Sequence, residues 1–209
     1  MGERMIKPVK DNLEKQRTYA REKARYRLAM KYGFYLEAMM IDYALLEDRF
    51  RSVLYHIGFL PSRRAMSVWK KARPYFADII KQYKTEIETD ALGITNISDK
   101  IKIVRSVLLW TANTEGDYQD NKHLTLIKSC FEGLDSDAFL CTIKQIEDWC
   151  RYRNEIVHAL MNKNLESIES ELKTYAEAGM QLANYIDARE RIIKKGNKIR
   201  KGMNLVVEK

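Results

Sequence analysis

The chain has 209 residues, 45% hydrophobic and 32% charged, with only nine glycines and three prolines, which gives enough apolar material for one core and favours helix. Three cysteines, Cys130, Cys141 and Cys150, form an odd set without metal-ligand spacing, so the pattern offers neither a disulfide framework nor a metal cluster and predicts buried thiols in a reducing compartment. The net charge of +8 is concentrated at the ends, because residues 1–31 and 189–209 each hold a net +6, and the middle is slightly acidic.

Basic ends of this kind suit a phosphate backbone, and they equally suit solvated helix faces. There is no apolar run of about 18 residues to cross a membrane, and residues 1–31 are too dense in charge for a secretory core, so a cytoplasmic location is expected.

Residues 11–32 are rich in helix formers, and Tyr19, Tyr26 and Tyr32 interleave with arginines and lysines. The mix can clamp RNA bases or pack its tyrosines on the body of the protein. After Gly33, residues 34–57 form an amphipathic helix whose stripe runs through Leu36, Met39, Met40, Tyr43, Leu46, Phe50, Val53, Leu54 and Ile57. Gly58 caps it and Pro61 follows. Glu47 falls within the stripe, while Asp42 and Asp48 lie towards its edges.

A short helix from Ser62 to residue 72 and another over 74–89 come next, with a basic patch beside Trp69. Residues 90–96 form a loop, and Ser98 or Asp99 caps a helix reaching residue 111. A polar loop over 113–121 precedes a short helix, 124–131, which ends at Gly133; His123 beside it reads as exposed. Asp135 or Ser136 caps a helix over 137–161, and Asn164 caps a last long helix over 165–195. The sum is an all-α bundle of five or six main helices: a basic helical arm over 1–33, the bundle over 34–195 and a basic tail over 196–209.

Chemistry concentrates in the helix over 137–161. Phe139, Ile143, Ile146, Trp149, Cys150, Ile156, Val157 and Leu160 make one apolar face, and Arg153 falls on it. A guanidinium stays charged, so a partly buried one needs an anion, either a protein carboxylate or the phosphate of a ligand. Glu47 is the best carboxylate candidate. Five residues after Arg153 stands His158, whose imidazole type can take and give a proton near neutral pH. Arg51 and His56 repeat the spacing with Ser52 in second place, and they read as a helix surface.

The run Arg153-Asn154-Glu155-Ile156-Val157-His158 resembles the arginine–histidine signature of the HEPN superfamily, small all-helical domains that include many metal-independent RNases of toxin–antitoxin and antiphage systems. A polar residue directly after the arginine is typical of that family, and Asn154 fits. The resemblance implies cleavage of RNA by attack of the 2′-hydroxyl on the adjacent phosphorus. His158 is then the general acid or base, Arg153 the phosphate ligand, and Asn154 an orienting group, without metal or cofactor. Tyr152 and Trp149 could stack a base, with core packing the expected role of Trp149. The resemblance also implies a cognate antitoxin or defence-complex partner. Toxins paired with nucleotidyltransferase antitoxins often carry a tyrosine two residues after the histidine, where this chain has Leu160.

Five residues turn a helix by about 140°, so Arg153 and His158 diverge in an unbroken helix. They meet if the helix breaks near Asn154, or if two copies face each other. HEPN RNases commonly build their site across a two-fold dimer, so a homodimer with both motifs at its interface is expected. A non-catalytic RNA- or protein-binding module is the alternative.

Overall fold

The computed structural model describes residues 12–60, 78–82, 96–114, 122–159 and 166–195. The elements expected over 62–72, the loops over 90–95 and 115–121, most of the helix over 74–89, Leu160, the Asn164 cap, the tail from 196 and the side chain of His123 lie outside the described residues. Six helices are described: α1 (Asn12–Lys31), α2 (Tyr35–His56), α3 (Ile97–Asn113), α4 (Lys122–Phe131), α5 (Ser136–Ala159) and α6 (Glu166–Lys194). Residues 78–82 add a helical turn that buries Ile79 and Ile80, and there is no strand among the described residues. The chain is all-α, as its composition and periodicity predict.

Local chemistry sets the helix ends. Gly58 leaves α2 with φ +82°, and its N–H donates to Tyr55 O. That left-handed turn is cheap for glycine alone. Asn96 caps α3 by accepting from Asp99 N–H at 2.8 Å, so the cap lies just upstream of the expected Ser98 or Asp99. Asp135 caps α5 by accepting from Ala138 N–H at 3.0 Å.

Helix α2 is the axis of the fold, packing against α1, α3 and α6. It therefore buries Ile41, Asp42 and Leu45 as well as Met39, Leu46, Phe50, Val53 and Leu54. A single stripe under-describes a helix with neighbours on several sides. Met40, expected in the stripe, is 45% exposed. The core continues through Ile101, Val104 and Leu108 of α3, Ile127 of α4, Phe139, Ile143 and Ile146 of α5, and Ala176 and Ile186 of α6. Each large apolar side chain fully removed from water contributes about 1.5–3 kcal/mol before entropy is counted. Cys130 and Cys150 are buried as expected, but Cys141 is exposed.

Helix α1 is docked along the bundle. Tyr26 Oη donates to Ala176 O at 3.1 Å, Tyr19 bonds the Asp48 carboxylate, and Ala29 is buried. These inward tyrosines leave Arg17, Arg21, Arg27 and Lys31 exposed on the opposite face. Tyr19 and Tyr26 thus pack on the body, whereas Tyr32 is 63% exposed.

Gly179 marks the closest approach of α6 to its neighbours. A Cβ there would lie 2.5 Å from Trp149 Cζ2 and 2.7 Å from Asp42 Oδ2. Alanine normally gains about 1 kcal/mol over glycine inside a helix. Overpacking against a rigid indole costs about 1–3 kcal/mol. Gly179→Ala should therefore lower the urea unfolding midpoint, where the helical preference alone would raise it.

Candidate functional site

Helix α5 carries Arg153, Asn154 and His158 without interruption up to Ala159, so of the two ways for the motif groups to meet, a break near Asn154 is not the one seen. Arg153 leans towards α2: its guanidinium carbon sits 4.4 Å from the centroid of the Tyr43 ring, and Nη2 lies 2.7 Å from Met40 Sδ. Nη1 donates to Asn154 Oδ1 at 3.0 Å, and Nε is buried without a hydrogen-bond partner. The ring face accepts the cation through its quadrupole, which is weaker than a carboxylate would be.

The acidic groups next to Arg153 do not neutralise it. Burial pushes the Cys150 thiol up to about 12, although Arg153 itself pulls the other way. Burial likewise raises the Tyr43 hydroxyl. Both are neutral at pH 7. The expected pairing with Glu47 is not formed: Glu47 Oε1 lies 2.6 Å from Lys100 Nζ. Lys100 is 5% exposed, so its ammonium is the more deeply desolvated cation and takes the carboxylate. Glu147, another acid near this face, holds Arg105 through both carboxylate oxygens at 2.9 and 3.0 Å. Among the described residues, no carboxylate lies within ion-pair distance of Arg153.

Asn154 and His158 are exposed and, four residues apart, share a helix face. Asn154 ties the guanidinium of Arg153 to the edge of that face. Tyr152 turns the other way. Its ring stacks on Tyr175 of α6 at 3.8 Å between centroids and 17° between planes, and its hydroxyl donates to Glu171 Oε2 at 3.0 Å. Desolvation and that carboxylate push the Tyr152 hydroxyl up to about 12. Trp149 is 4% exposed, and its Nε1–H donates to Tyr175 O at 2.8 Å, which makes it a core residue.

Two polar features escape a reading of the sequence. The first is Asp42, which is fully buried, with neither carboxylate oxygen hydrogen-bonded among the described residues. Its flanks, Ala38 and Met39 before it and Leu45 and Leu46 after it, are all buried, and that spacing was the available signal. Burial raises its pKa from 3.8 to about 8. A carboxyl whose folded pKa is raised contributes its stability below the unfolded pKa and loses it as pH rises through the folded one. Wild-type stability should thus fall between about pH 4 and pH 8 relative to Asp42→Asn. Thermal melts of both proteins across that range check the slope.

The second is a polar cluster joining α2 to α6. Glu190, 4% exposed, lies 3.4 Å from His56 Nε2 and 3.7 Å from Arg49 Nη1, and accepts from Ser52 Oγ at 2.8 Å. Arg49 also pairs with Asp187 at 2.8 Å, and its guanidinium sits 4.0 Å from the Tyr19 ring centroid. Burial alone would raise the Glu190 carboxyl, but the His56 and Ser52 hydrogen bonds and the nearby charges of His56 and Arg49 bring it down to about 2. His56 therefore belongs to an interhelical clasp and not to a helix surface, although Arg51 is exposed.

Among the described residues, no group of His, Cys, Asp and Glu could hold a metal ion, and no helix is long and apolar enough to cross a membrane. Comparison with family models, curated proteins and solved structures finds no match for this chain.

Proposed function

We propose that the chain is an endoribonuclease of the HEPN type, cleaving RNA by attack of a 2′-hydroxyl on the neighbouring phosphorus. The observation that carries this reading is Arg153, a half-buried guanidinium held by Tyr43 and Met40 with no carboxylate beside it among the described residues. Such a cation is positioned to receive an anion, and a phosphate is one that its fork can hold through two hydrogen bonds. Asn154 points its amide oxygen at the same guanidinium, and His158 shares Asn154's exposed face. In this mechanism Arg153 binds the scissile phosphate and stabilises the charge that develops on it. His158 takes the proton from the 2′-hydroxyl or gives one to the leaving 5′-oxygen. The products carry a 2′,3′-cyclic phosphate and a 5′-hydroxyl. This chemistry needs no metal.

The continuity of α5 favours a site shared between two copies, since Arg153 and His158 of one chain diverge around the helix. We therefore include the homodimer in the proposal, with each site taking its arginine and its histidine from different chains. A cognate antitoxin or defence-complex protein remains part of the reading by resemblance.

The test is RNA cleavage in EDTA by wild type and His158→Ala, with analysis of product ends. Cyclic phosphate ends that disappear in the variant support the nuclease. Cleavage that survives the substitution removes His158 from the mechanism. One observation favours a non-catalytic RNA-binding module instead: His158 makes no hydrogen bond to an orienting group among the described residues, while Arg17, Arg21, Arg27 and Lys31 line the outer face of α1. On that reading, substituting the α1 cations weakens RNA binding and no cleavage is seen.

A further inference from the structure

A cleft of about 520 Å³ opens between α5 and α6. Its volume falls within the roughly 300–1,000 Å³ usual for small-ligand clefts. Trp149 and Tyr152 line it from α5, and Tyr175 and Tyr185 from α6. The two helices run antiparallel here, as the contacts of Tyr152 with Glu171, Trp149 with Tyr175 and Phe139 with Tyr185 show. The cleft thus has the stacked Tyr152–Tyr175 pair towards one end and Tyr185 towards the other.

Its polar lining comprises Thr142, Gln145, Asp148 and Gln181, and the Asp148 carboxylate pairs with Arg151 at 2.6 Å. Gln145 from α5 and Gln181 from α6 are exposed lining residues whose side chains make no hydrogen bond among the described residues. Each carboxamide offers an acceptor and two donors in one plane. That is the complement of the donor and acceptor edge of a heterocyclic base. At the Tyr185 end, the Arg189 guanidinium lies 3.7 Å from the ring centroid and forms no ion pair among the described residues. Aromatic rings, planar amides and an unneutralised guanidinium together fit a nucleotide. An apolar helix docked there would leave the Gln145 and Gln181 carboxamides without partners.

We propose that the cleft between α5 and α6 is a nucleobase subsite, holding one unpaired base of an RNA strand against the tyrosines, with Gln145 and Gln181 reading its edge and Arg189 taking its phosphate. The inference rests on RNA being the substrate, as proposed above. Stacking on aromatic side chains tolerates any base, so the subsite supplies affinity and register more than sequence choice.

The test separates binding from cleavage. A short fluorescein-labelled 2′-O-methyl oligonucleotide lacks the attacking hydroxyl, and an abasic strand of equal length keeps the phosphates alone. Fluorescence anisotropy gives the affinity of each for wild type, Tyr175→Ala, Tyr175→Phe and the double variant Gln145→Ala/Gln181→Ala. Wild type is expected to prefer the base-bearing strand. Tyr175→Ala and the glutamine double variant should weaken that strand's binding by about 5- to 150-fold and leave the abasic strand unaffected. Tyr175→Phe keeps the ring and should bind as wild type, which controls for folding.

Equal affinity of wild type for the two strands, or wild-type affinity in both cleft variants, overturns the subsite. So does a change of oligomeric state in Tyr175→Ala without a change in oligonucleotide affinity, which would make the cleft a contact for a second copy. If the cleft variants bind normally while His158→Ala abolishes cleavage, the subsite fails and the nuclease stands. If binding depends on the cleft but pure wild type cleaves no RNA, the nuclease reading fails and the subsite stands.

Discussion

Arg153→Ala and His158→Ala, each inactive alone, should regain RNA cleavage when mixed. Loss of the acid–base group His158 is expected to cost roughly 10²- to 10⁴-fold, and loss of the charge-stabilising Arg153 roughly 10²- to 10³-fold. In the mixture about half of the dimers are mixed, and each of those has one site with an intact arginine from one chain and an intact histidine from the other. Recovery to about a quarter of wild-type activity follows if the proposed dimer exchanges subunits freely. A site built within one chain cannot be restored this way, because every chain in the mixture lacks one group. The contrast is decisive because α5 is continuous through the motif, so the two side chains cannot be brought together by a kink at Asn154. A mixture as inactive as its components, with subunit exchange demonstrated by mass, would remove the composite site.

Glu190→Ala should be the most damaging single substitution outside the apolar core. It removes the acceptor shared by His56, Ser52 and Arg49, whose side chains sit where α2 meets α6. Breaking a buried pair by deleting one partner typically costs about 3–5 kcal/mol, because the other charge stays desolvated. Arg49 keeps Asp187 at 2.8 Å, which places the expected loss near 3 kcal/mol. For a chain of this size that lowers Tm by roughly 6–12 °C. The effect has a pH signature of known sign. Glu190 has its folded pKa depressed from 4.5 to about 2, so its contribution is present above that window and lost as pH falls through it. The Tm gap between wild type and variant should close under acid. A gap that persists unchanged at pH 2 would show that lost packing, not the ion cluster, sets the cost.

Periodicity was enough to read the helices because each of α2, α3, α5 and α6 buries at least one face, and apolar spacing reports a buried face directly. Ile101, Ile103, Val104, Val107, Leu108 and Trp110, expected inside, are all buried. What periodicity does not carry is the identity of the neighbour. Met40 reads as one more stripe residue, yet its sulfur meets Arg153 across 113 positions of sequence. Glu47 lies in the right stripe to accept a cation, but the choice between Arg153 and Lys100 depends on which is buried deeper. His56 repeats the motif's spacing and is engaged by Glu190, 134 residues away, through a contact that only the packing of α6 on α2 creates. Asp42 lies towards the edge of the single stripe, and it is buried because α2 has neighbours on several sides.

The continuity of α5 also has a kinetic meaning. Where the two reacting groups of one chain diverge, encounter between chains becomes part of the proposed rate law. Below the dissociation constant of the dimer, the proposed activity rises with the square of chain concentration. Tenfold dilution then lowers the proposed activity about a hundredfold. Copy number would then set a threshold between a quiet chain and an active one even before any partner protein binds.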